Sequence, residues 1–213
     1  KLTWWSDVAI ANIDSPDAVV HSEAERTAEL IKMGEAFRKL WDARVDAPPT
    51  FDLISMLAHS PATRNLDARE FIGTIGLLIV GGNDTTRNSM SAGLMALCEN
   101  PAQFELVRAR PELIPNLVSE TIRYHTPVLH MRRTARNDVE LAGRHIKKGD
   151  KVVMWYISGN RDEARIERAD EFIIDRAKPR QHLAFGAGVH RCVGDRLAEQ
   201  QLRILWEEVL ARD

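Results

Sequence analysis

The segment FGAGVHRCVGD, Phe185 to Asp195, holds one of the two cysteines of the chain in a setting that could support chemistry. Cys192 follows a histidine–arginine pair and precedes Gly194, and two further glycines, Gly186 and Gly188, lie upstream. A thiol in such a loop can be a catalytic nucleophile, half of a disulfide, a zinc ligand or a ligand of haem iron. Each role requires different partners elsewhere in the chain.

The first three roles find little support in the sequence. The other cysteine, Cys98, is predicted to lie in the core at the apolar side of a helix end, and a disulfide scaffold would carry more cysteines. A zinc site needs three or four protein ligands, whereas His190 alone lies at a recognisable spacing from Cys192. A cysteine nucleophile needs a base, which His190 or His182 could provide, but no hydrolase signature surrounds the thiol. The nucleophile remains an alternative.

Ligation of haem iron accounts for more of the segment. Backbone N–H groups pointing at the sulfur, and the positive end of a helix beginning near Val193, would favour an anionic sulfur ligand. Glycines let a loop pass closely beneath a flat macrocycle, and Phe185 offers an apolar wall. His190 and Arg133 are candidate donors to the carboxylates of a porphyrin. A glycine-rich loop before a helix can equally bind an anion, so the segment alone does not decide.

Helices predominate among the elements that must position this loop. Amphipathic or capped segments predict helices over His21–Arg44, Phe51–His59, Asp67–Leu97, Pro115–His125 and Val193–Arg212. Short apolar alternations with turn signals predict a small antiparallel sheet over Val128–Ile157, and Ser158–Ala184 is expected to be mostly loop. The expected fold class is α+β, mainly α.

The longest predicted helix has an unusual interior. Asp67 and Glu70 have the spacing of a capping box at its start. Near its middle stand Gly81, Gly82 and a hydroxyl-bearing run after Asp84. Each glycine costs about 1 kcal/mol relative to alanine inside a helix, and hydroxyl side chains compete for backbone partners. A local widening or kink is therefore expected, and such features often mark functional sites.

The composition argues against several classes of protein. The 213 residues include 29 basic and 31 acidic side chains, a net charge of −2 that gives no pull towards nucleic acid or anionic membranes. The longest apolar run, Phe71–Gly82, is shorter than the roughly 18 residues that a transmembrane helix needs. A cytoplasmic protein without a transmembrane segment is expected.

Four motifs, in the same order along the chain, resemble those of the cytochromes P450, the haem-thiolate monooxygenases. They are Gly81–Thr85, Glu120–Arg123, Phe172–Arg176 and Phe185–Gly194. The resemblance implies the P450 fold, with a long central helix, a small antiparallel sheet and a cysteine haem loop. The chain is most similar to the soluble bacterial members that hydroxylate medium-chain alkanes and fatty acids at the terminal carbon.

The resemblance implies a haem b cofactor held by the cysteine loop. Cys192 would be the metal ligand, through its thiolate. The other haem-binding residues would be Phe185, Gly186, Gly188, His190 and Arg133.

The resemblance also implies roles for the other motifs. Asp84 and Thr85 would be catalytic: Thr85 would hold dioxygen and a water, and Asp84 would relay protons. Glu120 and Arg123 would form a buried network with Arg176 that holds the haem loop. Without the resemblance, the Glu120–Arg123 pair could equally be a surface ion pair.

The implied reaction inserts one atom of O2 into an unactivated C–H bond of a small apolar substrate. Electrons would come from a [2Fe–2S] ferredoxin and its NAD(P)H-dependent reductase. The substrate would contact Ile75, Leu78, Ile79, Gly82 and residues 128–131. The alternatives are a haem-binding protein without monooxygenase activity, or a P450 for another hydrophobic substrate such as a terpenoid or steroid.

The resemblance covers the C-terminal half of the family. Residues 1–213 are expected to be a partial P450 domain from which an N-terminal portion and the extreme C-terminus are missing. We expect the isolated 213-residue chain to fold poorly and to be inactive.

Overall fold

The computed structural model describes residues 1–212. The chain divides into two compact units, Lys1–Asp84 and Thr85–Asp213. The boundary falls between two consecutive residues of the long helix α4, Ala68–Glu99. None of the helices in the described part of the chain is long and apolar enough to cross a membrane.

The first unit consists of helices with well-defined starts. They are α1 (Leu2–Ile10), α2 (Glu23–Val45), α3 (Leu53–His59) and the first part of α4. The Ser22 side chain caps α2 and the Asp52 side chain caps α3, each by accepting a backbone N–H three residues later. Asp67 and Glu70 exchange two such bonds, of 2.8 and 3.3 Å, which confirms the predicted capping box.

Aromatic side chains dominate the core of the first unit. Its buried members are Trp5, Met33, Trp41, Ala58, Phe71 and Ile75. Trp41 and Phe71 meet edge to face, with ring centroids 5.2 Å apart. The prediction that Ile75 faces a substrate is wrong, because this side chain is 1% exposed inside that cluster.

Helix α4 runs without interruption through the glycine-rich run at its middle, so the predicted widening is absent. Two observations accompany this continuity. The Ser89 hydroxyl donates to the Thr85 carbonyl at 2.8 Å, one turn back along the helix, and does not break its backbone pattern. A Cβ on Gly81 or Gly82 would meet no atom within 4 Å, so neither glycine marks a close approach.

The second unit combines helices with short strands. After α4 come α5 (Pro101–Ala109), α6 (Ile114–His125), α7 (Tyr156–Asn160) and α8 (Asp195–Leu210). The predicted helices over 115–125 and 193–212 are therefore confirmed to within two residues at each end. Single 3-10 turns occupy Pro111–Leu113 and Gly188–His190.

The strands form two antiparallel pairs. Strand β1 (His130–Thr134) pairs with β4 (Lys151–Trp155), and β2 (Val139–Leu141) pairs with β3 (Arg144–Ile146). The predicted turns are present: Ala142 and Gly143 have φ of 48° and 71°, and Gly149 has φ of 94°. The fold class α+β, mainly α, is confirmed, but the strands make two ladders and not one sheet, and α7 replaces the end of the last predicted strand.

The core of the second unit lies where α4, α6 and α8 approach closely. Its largest fully buried side chain is that of Trp206, on α8. A Cβ added to Gly93 of α4 would lie 2.8 Å from the Trp206 ring and 3.3 Å from the Thr121 side chain of α6. The glycine therefore sets how near α4 lies to its two neighbours.

A buried charge network joins α6 to the segment before the cysteine loop. Glu120 is 0% exposed and Arg123 is 1% exposed. The Arg123 guanidinium donates to both carboxylate oxygens of Glu120, at 2.7 and 2.8 Å, and Arg176 donates to the same oxygens at 3.1 and 3.2 Å. The alternative of a surface pair is thereby excluded, because no part of the Glu120 side chain reaches solvent.

Backbone carbonyls complete this network. Arg123 donates to the carbonyls of Asn160 (2.8 Å), Ala169 (2.7 Å) and Glu171 (2.9 Å). The Ile173 N–H donates to Glu120 at 2.8 Å. The irregular segment after α7 is thus tied to α6 at several points along its length.

We predict that Gly93→Ala destabilises the protein by about 1–3 kcal/mol, because the rigid indole of Trp206 cannot move out of the way of the new methyl group. Gly73→Ala, in the same helix, is the control: its methyl group meets no atom within 4 Å, so the better helix propensity should stabilise by up to about 1 kcal/mol. Equal effects in thermal unfolding would contradict the close packing.

We predict that Glu120→Gln lowers the free energy of unfolding by about 3–5 kcal/mol, because it leaves two guanidinium groups buried without a countercharge. The control is Glu208→Gln, which removes a pair with Arg212 whose carboxylate is 61% exposed and should change stability by less than about 1 kcal/mol. Urea unfolding of both variants decides; a Glu120→Gln loss as small as that of the control would refute the network's role.

Candidate functional site

The cysteine loop is closed by its own backbone. The Cys192 N–H donates to the Phe185 carbonyl at 2.8 Å, and the Gly186 N–H donates to the Leu183 carbonyl at 2.8 Å. Gly186 and Gly188 have φ of 68° and 65°, a region that side-chain-bearing residues rarely adopt. A Cβ on Gly186 would also lie 3.4 Å from the His190 carbonyl. Glycine at these two positions is therefore a requirement of the loop's shape.

The thiol of Cys192 lies on the exposed side of this loop. Its neighbours Val189 and Val193 are each 95% exposed, so the loop presents apolar side chains around the sulfur. Single exposed valines are common, but two of them beside an accessible thiol form a surface suited to an apolar partner. Phe185 is half-buried and packs against the core of the second unit.

Helix α8 begins three residues after the cysteine, at Asp195. The Arg191 guanidinium donates to the Asp195 carboxylate at 2.6 Å. Burial works to raise the pKa of Asp195, but the hydrogen bonds from Arg191 and from the Arg196 N–H outweigh it and hold that pKa below its usual range. An ionised Asp195 therefore ties the loop to the first turn of α8.

Asn160 connects the loop to the buried charge network. Its side chain has no exposed surface. Its Oδ1 accepts the Leu183 N–H at 2.6 Å, its Nδ2 donates to the Thr126 hydroxyl at 2.9 Å, and its carbonyl accepts from Arg123. Since Leu183 begins the hydrogen-bonded turn that leads into the loop, Asn160 couples the loop to the C-terminal end of α6.

His182 is a neutral side chain beneath the loop. Its ring packs on Phe185 with centroids 5.5 Å apart. Burial, reinforced by the positive charges of Arg180, Arg191 and Arg123 and only weakly opposed by Glu120, lowers its pKa to about 4. At neutral pH it is therefore an uncharged packing residue, which weakens its candidacy as the base of a cysteine nucleophile.

The two residues predicted to donate hydrogen bonds to the porphyrin carboxylates lie on different elements. His190 ends the 3-10 turn of the cysteine loop and is exposed. Arg133 lies in β1, where it is half-buried while its neighbour Arg132 is exposed, as strand alternation predicts. The Arg133 guanidinium donates to the carbonyl of Arg132 at 3.0 Å. Both side chains are cationic or can donate hydrogen bonds, as binding a carboxylate requires.

The predicted catalytic pair occupies consecutive positions of α4. Asp84, in the first unit, is 4% exposed and accepts a hydrogen bond from the Ser6 hydroxyl of α1. Thr85, in the second unit, is half-buried. A buried carboxylate next to a hydroxyl is a pair of groups that can carry protons through a dry region.

The alternatives for the thiol can be compared with the geometry. Cys98 and Cys192 are both free thiols. Within residues 1–212 no group of three or more His, Cys, Asp or Glu side chains is placed to hold a metal ion, so no three-ligand zinc site is seen around Cys192.

The prediction that Cys98 lies in the core is wrong. The helical period of α4 turns Ala96 and Leu97 inward, at 0% and 3% exposure, and leaves Cys98 on the outer side together with Leu94 and Met95. The apolar residues at this helix end occur on both faces, so the sequence pattern gave no direction.

Two residues that matter to the site were missed from the sequence. Asn160 stands in the stretch predicted to be loop, where a buried asparagine has no signature. Ser6 lies 78 residues before Asp84, and nothing in the local pattern joins them. Ser6 could have been found only as a hydroxyl beside Trp4, Trp5 and Val8, whereas Asn160 lies among polar residues and carries no such signal.

Comparison with known proteins places these features in a family. The family model described as Cytochrome P450 matches residues 19–212. Linalool 8-monooxygenase of Pseudomonas putida is 46% identical over 176 residues, which is 82% of this chain and 43% of that protein.

Solved structures agree. Cytochrome P450-153 from Novosphingobium aromaticivorans is 50% identical, with a TM-score of 0.90 over 99% of this chain and 51% of that one. CYP153D17 from Sphingomonas sp. PAMC 26605 is 52% identical, with a TM-score of 0.89 over 99% of this chain and 52% of that one. The chain thus spans about half the length of the relatives that it matches. With the family model matching most of its residues, the chain belongs to the cytochrome P450 family.

Proposed function

We propose that this protein is a haem-thiolate monooxygenase with Cys192 as the iron ligand. The observation that carries the proposal is the accessible Cys192 thiol on a loop closed by its own amide, in a chain of the P450 family. An amide that bonds to the Phe185 carbonyl fixes the direction in which the cysteine side chain leaves the loop. A cysteine that alone holds an iron atom must have its side chain fixed in one direction in this way.

The donor set of the loop fits haem b. Val189 and Val193 provide exposed apolar surface next to Cys192, and Gly186 and Gly188 supply the left-handed conformations of the loop. His190 and Arg133 would donate to the propionate carboxylates of the cofactor. Phe185 would support the loop from its buried side, where it packs against His182.

When bound, haem supplies the redox-active iron at which dioxygen is reduced. Overall, a C–H bond, O2, two electrons and two protons give an alcohol and one water. The chain's own residues would deliver the protons: Asp84 would pass them inward, and the Thr85 hydroxyl would hold dioxygen and a water in line with that path. A haem protein without this activity would not need the Asp84–Thr85 pair.

The electron donor that we propose is a [2Fe–2S] ferredoxin, reduced by an NAD(P)H-dependent reductase. Arg191 and Arg196 are exposed next to the cysteine loop, which would allow an acidic donor to approach near the metal. We further propose that the protein acts in the cytoplasm, an environment in which two free thiols remain reduced.

The substrates that we propose are medium-chain alkanes or fatty acids, hydroxylated at the terminal carbon. The likeness to two P450-153 proteins, at 50% and 52% identity, supports this branch. A terpenoid alcohol is the second candidate, because the relative named linalool 8-monooxygenase is 46% identical. Titration of the haem-loaded protein with an alkane, a fatty acid and linalool separates the candidates by which compound shifts the Soret band at the lowest concentration.

We predict that Cys192→Ser abolishes the strongly red-shifted Soret band of the reduced, CO-bound protein, because oxygen replaces the thiolate ligand. Cys98→Ser is the matched control, since Cys98 is the other exposed thiol, and it should keep the band at full amplitude. The same band in both variants would refute Cys192 as the ligand, and a full-length protein that takes up no haem at all would refute the proposed function.

We predict that Thr85→Ala diverts electrons to hydrogen peroxide, with product per NAD(P)H falling by about tenfold or more, since positioned proton transfer typically contributes about 10²–10⁴-fold. Thr86→Ala, at the next position and 8% exposed, should leave the product yield nearly unchanged. Product and peroxide assays on both variants decide. Unchanged yield in Thr85→Ala, or equal losses in the two variants, would contradict the role of Thr85.

A further inference from the structure

We propose that Ser6 is the positioning residue of the proton relay: its hydroxyl holds the Asp84 carboxylate in the orientation from which protons are passed. The inference rests on the proposed function, in which Asp84 delivers protons. The observation is the hydrogen bond from the Ser6 Oγ to the Asp84 Oδ2, between a side chain that is 0% exposed and one that is 4% exposed. Both residues belong to the first unit.

Ser6 is itself firmly held. It lies in the middle of α1, on the buried face that also includes Trp5 and Val8. Trp5 belongs to the aromatic core of the first unit and packs on Phe37 with ring centroids 6.2 Å apart. On the outer face, the Trp4 indole N–H donates to Glu29 of α2 at 3.0 Å. A hydroxyl on a helix anchored from two sides has little freedom to follow a moving partner.

The chemistry of the pair explains why the hydroxyl matters. A hydrogen bond from an O–H to a carboxylate is charge-assisted and about twice as strong as a neutral one. Bound at Oδ2, it restricts rotation of the carboxylate and so limits the directions in which Oδ1 can point. A buried carboxylate that loses one of its hydrogen bonds pays a cost in desolvation, so it would reorient towards its remaining contacts or admit water.

Proton transfer through Asp84 depends on the orientation of its carboxylate more than substrate binding does. Proton transfer requires donor and acceptor within about 2.6–3.2 Å, and a displacement of about 1 Å can cost about 100-fold in rate. Binding of an apolar substrate requires no proton transfer, so it should not depend on the orientation of Asp84. Loss of Ser6 should therefore reduce coupling of electron flow to product while it leaves substrate binding intact.

The first test uses the full-length, haem-loaded protein with Ser6→Ala. We expect product per NAD(P)H to fall by about tenfold, peroxide to rise in proportion, and the spectroscopic dissociation constant of the substrate to change less than about twofold. Ser6→Cys keeps nearly the same volume but offers only a weak donor, so it should show the same loss of coupling. It replaces Ser6→Ala in the test if Ser6→Ala folds poorly. Val8→Ala is the control, because Val8 is as buried as Ser6 on α1. This substitution should loosen the packing of α1 without removing the hydrogen bond to the Asp84 carboxylate.

The second readout does not depend on turnover. The infrared carboxylate stretch of Asp84 is identified as the band that Asp84→Asn removes. We expect this band to shift in Ser6→Ala and Ser6→Cys and to keep its position in Val8→Ala. The double variant Ser6→Ala/Asp84→Asn should be no less coupled than Asp84→Asn alone, since the two residues act through one carboxylate.

The outcomes separate the inference from the function on which it rests. If Asp84→Asn leaves coupling intact, the relay itself is wrong, and the inference is overturned with it. If Asp84→Asn uncouples the enzyme while both Ser6 variants keep coupling and the infrared band, the role of Ser6 is overturned and the proposed function stands. Equal uncoupling in Val8→Ala and Ser6→Ala would also overturn it, because loosened packing would then explain the loss.

Discussion

A carboxylate with no exposed surface, that of Glu120, is held between the guanidinium groups of Arg123 and Arg176. Burying three charges is costly, and the cost is met only if every polar atom of the network is bonded. The guanidinium groups meet this requirement by donating hydrogen bonds to backbone carbonyls at the end of α7 and in the irregular segment that follows it. That segment has no ladder or helix of its own to fix it. The requirement to satisfy buried charges therefore shapes a stretch of chain that hydrophobic packing alone would leave loosely specified.

The cysteine loop depends on this arrangement through Asn160. One asparagine side chain bonds both the end of α6, at Thr126, and the start of the loop, at Leu183. Beyond Leu183 the loop is closed by local bonds and two left-handed glycines, and the Arg191–Asp195 pair secures it to α8. The thiol of Cys192 is thus exposed but leaves a rigid backbone. This combination suits a metal ligand, which must be reachable by the cofactor and held in one direction.

Local chemistry could be predicted from the sequence, and long-range contacts could not. The capping box at Asp67 and Glu70, the turns at Gly143 and Gly149, and the helix boundaries follow from short-range rules, and the structure bears them out. The Glu120–Arg123 spacing indicated a shared helix face, but its burial depends on the distant segment around Arg176. The face taken by Cys98 and the partner of Asp84 depended on packing between separate elements. Glycines at the middle of α4 predicted a widening, but the chain is α-helical through that run.

Buried hydrogen bonds of the Glu120 network, joined to the loop by the Asn160 side chain, hold the cysteine loop in its shape. Hydrogen exchange at the backbone amides of Leu183 and Cys192 in Asn160→Ala tests it most directly, with Asn137→Ala in an exposed turn as control. Because the Leu183 N–H loses its acceptor and the loop loses its attachment, the account predicts that both amides exchange at least about tenfold faster, while α8 amides keep their protection. Unchanged exchange at Cys192 in a folded Asn160→Ala protein would contradict the account.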